Sequence, residues 1–171
     1  MKKVVIVIIL IVLSIILQSS AIVDNHWSTK HMSKSLLDES DFYIGLWKGC
    51  LNFQNQEMCE VIPINTLKNS HRITLSVVRT FTILSVLLLL GALICMSVNK
   101  KLVSFMLIAS ILLSIAVAVI WSTNKDLCPS DVKYGRAFYM NIIGYVLAIA
   151  GLLVFRGVKN VSDIKSLFAF F

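Results

Sequence analysis

The stretch GLWKGC at residues 45–50, followed by Cys59, decides how the rest of the chain is organised. It lies in a polar segment between the first two long apolar runs of the sequence. The β-prone residues from Tyr43 to Trp47 lead into the first cysteine, and a short polar turn over residues 52–57 leads to the second. This pattern predicts a β-hairpin closed by a disulfide between its two cysteines, provided that the segment faces an oxidising compartment.

The overall composition indicates a membrane protein. Of the 171 residues, 57% are hydrophobic and only 15% are charged, whereas ordinary soluble domains carry about 25% charged residues. The net charge of +7 is compatible with nucleic acid as a partner, but the basic residues are scattered and no nucleic-acid-binding motif accompanies them. We therefore exclude nucleic acid and expect the lipid bilayer to surround most of the chain.

Four apolar runs have the length of membrane-spanning helices. Each holds roughly 20 residues, which a helix rising about 1.5 Å per residue needs to cross a hydrocarbon core of about 30 Å. The runs do not alternate in polarity as the strands of a membrane barrel would, so helices are predicted. We expect one tetraspan domain over residues 1–171, with spans at about 4–23, 75–98, 102–121 and 137–155 and outer loops at 24–74 and 122–136.

The first apolar run has a second interpretation. Lys2 and Lys3, an apolar core and the sequence QSSA at residues 18–21 also resemble a secretory signal peptide with a cleavage site. Against cleavage, apolar character resumes at residues 21–23, as in a span that ends near the outer interface. The sequence leaves both interpretations open, and the mass of the mature N-terminus distinguishes them.

The distribution of Lys and Arg predicts the orientation. With the N-terminus inside, the density of basic residues is more than twice as high in the inner pieces, at 1–3, 99–101 and 156–171, as in the two outer loops. This asymmetry agrees with the positive-inside rule. We therefore expect both termini in the cytoplasm and the two cysteines of the hairpin outside, where a disulfide persists.

The predicted spans contain almost no ionisable side chains. Arg79, near the outer end of the second span, is the exception. It is interpreted either as an interface residue whose head reaches water or as a fixed partner of the outer sheet or of a cluster of carbonyls. No Asp, Glu or His lies inside a predicted span, so no proton relay, ion site or transport path is predicted.

Two further cysteines have no predicted partner. Cys95, near the inner end of the second span, is either a candidate lipidation site or an inert buried thiol. Cys128, in the second outer loop, is either free or forms a bridge between two molecules. The cysteines and histidines show no metal-ligand spacing and include no CxxC pair. We therefore expect no metal, no cofactor and no enzymatic activity.

Over nearly its whole length the chain resembles the claudin family and its wider superfamily, which includes the peripheral myelin and epithelial membrane proteins and the calcium-channel gamma subunits. The resemblance rests on the pattern W…GLWxxC…C, which is formed by Trp27, Gly45, Leu46, Trp47, Cys50 and Cys59. Arg79 resembles the arginine that these proteins carry at the outer end of the second span. The segment YGRAFY at residues 134–139 is similar to one in the myelin and gamma-subunit branches.

The resemblance implies the fold class: a membrane all-α, left-handed four-helix transmembrane bundle with a small extracellular antiparallel β-sheet. In such a sheet Cys50 and Cys59 bridge adjacent strands, and Trp27 and Trp47 anchor the sheet at the membrane surface. In claudins an acidic residue just after the second cysteine favours the passage of cations. Glu60 occupies that position and is a candidate pore charge, with a solvated loop carboxylate as the alternative interpretation.

The resemblance also implies a function. We expect a plasma-membrane protein of cell junctions that acts in cell–cell adhesion or in a paracellular barrier or pore. It would associate with itself in cis or in trans, or with another claudin-like protein. The alternative is an auxiliary subunit that modulates the trafficking or gating of a channel or receptor. The C-terminal sequence FAFF departs from the Tyr-Val-type ending by which claudins dock PDZ domains, and this departure favours the alternative.

Overall fold

Four long helices dominate the structure. The computed structural model describes residues 2–33, 39–53, 56–62, 69–124 and 133–157. The helices are α1 (Lys2–Val23), α2 (Asn69–Ile94), α3 (Lys100–Thr123) and α4 (Arg136–Arg156). By length and composition all four are able to cross a membrane. They pack as a ring in which α1 contacts α2 and α4, while α3 contacts the same two helices.

The link between α2 and α3 is a tight turn, as its short polar sequence predicts. A 3-10 turn at Cys95–Ser97 follows α2, and Asn99 caps the start of α3. The side-chain oxygen of Asn99 accepts hydrogen bonds from the backbone N–H groups of Lys101 (3.0 Å) and Leu102 (3.4 Å). These bonds satisfy two donors that the first turn of a helix otherwise leaves open. Consequently α2 and α3 pack side by side in opposite directions.

A five-stranded antiparallel sheet lies at the end of the bundle where α1 ends and α4 begins. Its order is β4-β3-β2-β1-β5. Four strands come from the segment between α1 and α2, and the short fifth strand comes from the segment between α3 and α4, where it pairs Tyr134 with Ser28. The strands are β1 (Ser28–Ser33), β2 (Glu39–Ile44), β3 (Lys48–Phe53), β4 (Gln56–Val61) and β5 (Lys133–Tyr134).

Two clusters of buried side chains follow one another along the bundle. The lower core, at the end away from the sheet, is formed by Val4, Val7, Ile11, Leu89, Ala92, Met96, Val103, Leu107, Ile111, Ala148, Leu152 and Phe155. The upper core lies beneath the sheet, and two of its residues, Trp27 and Leu46, come from outside the helices. Its members are Ala21, Trp27, Leu46, Leu75, Val78, Val117, Trp121, Ala137 and Phe138. Both cores draw on all four helices.

A polar layer separates the two cores and joins the four helices. The hydroxyl oxygen of Ser85 on α2 lies 2.8 Å from the side-chain oxygen of Gln18 on α1 and 2.8 Å from each hydroxyl of Ser110 and Ser114 on α3. The hydroxyl of Ser14 on α1 donates to the backbone carbonyl of Gly144 on α4 at 2.7 Å. All of these side chains are buried. Interhelical hydrogen bonds of this kind fix which faces of membrane helices meet.

Candidate functional site

The hairpin formed by β3 and β4 carries the disulfide. Cys50 and Cys59 lie directly opposite each other in the ladder, their Cα atoms are 4.1 Å apart and their sulfur atoms are bonded. The structure therefore contains the disulfide that the sequence predicts. Closing so short a ring removes about 2.5 kcal/mol of chain entropy from the unfolded state. Glu57 lies close enough to both sulfur atoms to share an ion, but bonded sulfurs are not thiolate ligands.

Arg79 reaches from α2 to the sheet. Its Nε–H donates to the backbone carbonyl of Leu46 at 2.6 Å, and its guanidinium carbon lies 4.6 Å from the centroid of the Trp47 ring. Only 7% of the residue is exposed. The guanidinium therefore combines a charge-assisted hydrogen bond with a cation–π contact. Of the two interpretations of Arg79, this geometry fits the fixed partner of the sheet.

The two tryptophans of the sequence motif occupy different environments. The expectation that Trp27 anchors the sheet at the membrane surface is wrong, because its side chain is fully buried in the upper core. Its indole N–H donates to the backbone carbonyl of Ala21 at 2.7 Å, and its ring lies 5.0 Å from that of Trp121. Trp47, by contrast, is 37% exposed. One indole therefore packs the interior, and the other lies at the surface against Arg79.

Gly45 and Gly135 lie against the segment 25–27 from opposite sides, and we call this arrangement of Gly45, Gly135 and residues 25–27 the clasp. A Cβ atom on Gly45 would lie 2.5 Å from the Cα atom of Asn25. A Cβ atom on Gly135 would lie 2.0 Å from the carbonyl oxygen of His26. Both distances are far below van der Waals contact, so these two positions exclude every larger residue unless the backbone moves.

Backbone hydrogen bonds complete the clasp. The N–H of Trp27 donates to the carbonyl of Ile44 at 2.9 Å, and the carbonyl of Trp27 accepts from the N–H of Gly135 at 3.0 Å. The carbonyl of His26 accepts from the N–H of Ala137, in the first turn of α4, at 3.0 Å. The end of α1, the sheet and the start of α4 are thus joined by main-chain bonds that need close approach.

An ion pair lies beside the clasp. One oxygen of Asp24 accepts from the Nε–H of Arg136 at 2.6 Å, while the other accepts from the backbone N–H of His26 at 3.0 Å and lies 2.7 Å from its ring nitrogen. Burial raises the pKa of Asp24, but the hydrogen bonds from Arg136 and His26 outweigh it and hold the pKa below its ordinary value of 3.8. The His26 ring also packs against the Tyr43 ring, with centroids 4.3 Å apart and the ring planes tilted by 49°. The Asp24 carboxylate therefore links the end of α1 to the start of α4.

The remaining predicted site residues lie apart from the clasp. Glu60 is exposed on β4, opposite Gly49. Cys95 is a free, half-buried thiol that packs against the lower core at the far end of the bundle. Cys128 lies outside the described residues. The structure thus gathers Gly45, Leu46, Trp47, Trp27 and Arg79 around one junction and leaves Glu60 and Cys95 elsewhere.

Sequence reasoning missed Asp24, His26 and Gly135 as parts of this junction. A signal was present for two of them. Asp24 is the first charged residue after the first apolar run. Gly135 and Arg136 directly precede the fourth apolar run. These signals mark the ends of the two spans. They do not show that residues 24–27 and 135–137 meet, because that contact depends on packing between segments that are distant in the chain.

Comparison with known proteins supports the resemblance drawn from the sequence. A family model described as the PMP-22/EMP/MP20/Claudin family matches residues 2–154, a stretch that contains all five strands and nearly all of the four helices. None of the curated proteins compared matches the chain. The predicted resemblance is thereby confirmed, as is the fold class of four long apolar helices with a small antiparallel sheet.

Proposed function

This chain belongs to the PMP-22/EMP/MP20/Claudin family, and on that premise we propose that it acts in cell–cell adhesion or in forming a paracellular barrier or pore. The contacts would be made by the sheet, either between molecules in one membrane or between molecules of adjoining cells. The protein would be a multi-pass protein of the plasma membrane, enriched at cell junctions. A membrane protein with claudin-like architecture is the premise, and the adhesive role is the proposal.

The proposed orientation has both termini in the cytoplasm and the sheet outside the cell. The density of Lys and Arg is higher in the pieces predicted to be cytoplasmic than in the two outer loops, and this asymmetry supports the orientation. The disulfide between Cys50 and Cys59 supports it independently, because structural disulfides persist in oxidising compartments. We further propose that α1 is retained as a span, since Ser14, Gln18 and Ala21 all bond to groups outside α1.

The main support for the adhesive role is the exposure of β4, the strand at the outer edge of the sheet. β4 is an edge strand, all six of its residues are exposed, and its backbone has no neighbour on its outer side in the described sheet. Two of these residues are apolar, Met58 at 65% exposed and Val61 at 63%. Exposed apolar side chains on an unpaired edge are typical of a surface that meets another protein.

The helices contain few side chains that are suited to catalysis. Their sequences contain no Asp or Glu, and the apolar spans contain no His. Acid–base catalysis draws most often on His, Asp or Glu side chains, and the apolar spans offer none of them. We therefore propose that the protein is not an enzyme and that any conductance arises between molecules, with Glu60 on β4 as the candidate charge for cations.

The test is a permeability assay in epithelial cells that express tagged copies. We expect the wild-type protein to concentrate at cell contacts and to change the electrical resistance of the cell layer. The double variant Met58→Lys/Val61→Lys, which charges the β4 edge, should lose both effects. Ile73→Lys, which charges an exposed apolar residue outside the predicted spans and away from the sheet edge, is the control. No enrichment and no change in resistance for the wild type would refute the adhesive role.

The orientation is tested separately by thiol labelling in intact cells. We expect residues 50 and 59 to react with an impermeant reagent only after an external reductant has been added. Labelling of these two cysteines only from the cytosol, and without a reductant, would refute the orientation.

A second candidate function is that of an auxiliary subunit of another membrane protein. The aromatic face at the start of α4 favours it. Tyr134 stacks on Phe138 with ring centroids 4.4 Å apart, and Tyr139 beside them is 52% exposed. Co-purification of a channel or receptor that is lost in Tyr139→Ser, but kept in the Met58→Lys/Val61→Lys variant, would establish this role in place of adhesion.

A further inference from the structure

At the end of the bundle opposite the sheet, α3 and α4 form a groove with a basic rim and an apolar wall. Its volume is about 580 Å³, and it is lined by Lys100, Lys101, Ser104, Phe105, Ile108 and Arg156. The cations come from the first turn of α3 and the last turn of α4, two segments that packing brings together. We propose that this basic groove binds an anionic glycerophospholipid, with the phosphate headgroup at the rim and an acyl chain along the wall.

The charge of the rim is not offset by the helices. None of the four helices contains an acidic residue. Lys101 and Arg156 are exposed, and the ammonium group of Lys100 lies 5.8 Å from the centroid of the Phe155 ring, a contact that holds this cation beside the groove. Each cation near a membrane surface strengthens the binding of anionic lipid by about fivefold. The two exposed cations, Lys101 and Arg156, are enough to favour a phosphate headgroup with a net negative charge.

The apolar wall extends along one face of α3 and matches the acyl chain of a lipid. Lys101, Phe105, Ile108 and Leu112 follow each other at helical spacing, so they share one face of α3. Phe105 is 67% exposed and Leu112 is 61% exposed. This face therefore changes from charged to apolar in the direction of the sheet, which is the order in which a phospholipid presents its phosphate and its acyl chains. A soluble phosphate would contact the rim alone.

The leaflet in which such a lipid lies follows from the proposed orientation. That orientation turns the groove towards the cytoplasmic leaflet, where anionic lipids are concentrated. The choice of leaflet rests on the proposed function, whereas binding itself does not. The experiment therefore uses purified protein, so that its failure leaves the adhesion and labelling assays unaffected.

The test is a titration of the purified full-length protein, in neutral detergent micelles, with phosphatidic acid that carries a fluorescent acyl chain. The triple variant K100Q/K101Q/R156Q removes the rim. The control K48Q/R72Q/K133Q removes the same charge from three exposed positions near the sheet. We expect the Kd to rise at least about 25-fold for the rim variant, about fivefold for each of the exposed Lys101 and Arg156, and less than about twofold for the control. An equal loss in both would show that net charge alone attracts the lipid and would overturn the proposal.

Two further measurements separate a lipid site from a phosphate site. Phe105→Ser should weaken the binding of labelled phosphatidic acid about tenfold, because the exposed ring is one of the two apolar side chains that line the groove, the other being Ile108. Soluble glycerol phosphate should fail to displace the lipid at equal concentration. Displacement by glycerol phosphate, or no effect of Phe105→Ser, would overturn the proposal.

The single variants K101Q and R156Q guard against a folding defect in the triple variant. Both side chains are exposed, so the thermal unfolding of these variants should match that of the wild type. Each should raise the Kd by about fivefold. Unchanged binding in both single variants would contradict a site at the rim.

Discussion

The upper and lower cores of the bundle are both buried, yet they hold the chain by different means. The lower core contains aliphatic side chains, one methionine and one phenylalanine, which pack without directional bonds. The upper core contains two indoles, and each of them donates a hydrogen bond: Trp27 to the carbonyl of Ala21, and Trp121 to the hydroxyl of Ser28 at 3.0 Å. Arg79 adds a third directional contact, to Leu46.

This difference shows how the sheet is positioned. Lipid tails are as apolar as leucine, so burial of aliphatic side chains gives membrane helices little reason to choose one partner face over another. Hydrogen bonds between buried polar groups depend on distance and angle, and so they select one arrangement. The lower core therefore keeps the helices together, while the clasp, Arg79 and the two indoles determine where the sheet lies on them.

The largest effect on stability should come from a larger residue in the clasp. Gly135→Ala puts a methyl group 2.0 Å from the carbonyl oxygen of His26, and we expect a loss of at least about 3 kcal/mol of stability. The matched control is Gly151→Ala on α4 beside the lower core, where a Cβ atom would lie 3.6 Å from the nearest atom of Ile11. That change should be neutral or stabilising by up to about 1 kcal/mol. Thermal unfolding in detergent measures both, and similar effects at the two glycines would contradict the contrast between the cores.

The second largest effect should come from Arg79→Met. The change leaves the carbonyl of Leu46 buried without its donor, and a hydrogen bond to a charged group contributes about 2 kcal/mol. Arg72→Met removes the same charge from an exposed position on the same helix and should be close to neutral. Denaturant unfolding followed by tryptophan fluorescence reports the loss, since Trp47 lies against the guanidinium. Equal stability of the two variants would mean that Arg79 is an interface residue after all.

A smaller effect is expected in the polar layer. Gln18→Leu removes the acceptor of Ser85 and Ser114, and we expect a loss of about 1 kcal/mol, the usual size for such bonds in membrane helices. Asn141→Leu is the comparison, because both amide atoms of Asn141 are buried without a hydrogen-bond partner among the described residues. Leucine there should be neutral or stabilising by up to about 1 kcal/mol. Thermal unfolding distinguishes the two, and a loss of the same sign at both positions would contradict this account.

The smallest effect concerns pH at the ion pair beside the clasp. The pKa of Asp24 is lower in the folded protein than its ordinary value of 3.8, because hydrogen bonds from Arg136 and His26 outweigh the effect of burial. A depressed pKa stabilises the fold above pH 3.8, and this stability is lost as the pH falls through the folded-state pKa. The melting temperature should therefore fall between pH 5 and pH 2 by more in the wild type than in Asp24→Asn. Glu60→Gln, at an exposed carboxylate, should behave like the wild type.

The sequence predicted the helices and the stapled hairpin because both depend on local patterns. An apolar run of membrane length and a cysteine on each side of a short polar turn are visible within a few residues of each other. The claudin-like architecture followed from the motif around residues 45–50. These parts needed no knowledge of which segments meet in space.

The rest depended on contacts that no local pattern records. Trp27 was placed at the membrane surface because an indole suits that position, but its N–H found a partner in the interior. Ser110 and Ser114 are small enough to suit close helix packing, yet their hydroxyls meet Ser85 and Gln18 in the polar layer. β5 has only two residues, too few for any periodicity to show. In each case the missing information was the identity of a neighbour from another helix or strand.

The clasp also has a consequence for how the protein is made. A ribosome synthesises residues 25–27 early, but the groups at residues 135–137 that bond to them emerge only with the start of α4. Until that helix has entered the membrane, the carbonyls of His26 and Trp27 lack their partners, and the first four strands cannot be joined to the bundle on that side. Docking of β1 onto the bundle therefore waits for α4, and a chain truncated before residue 135 would lack this junction.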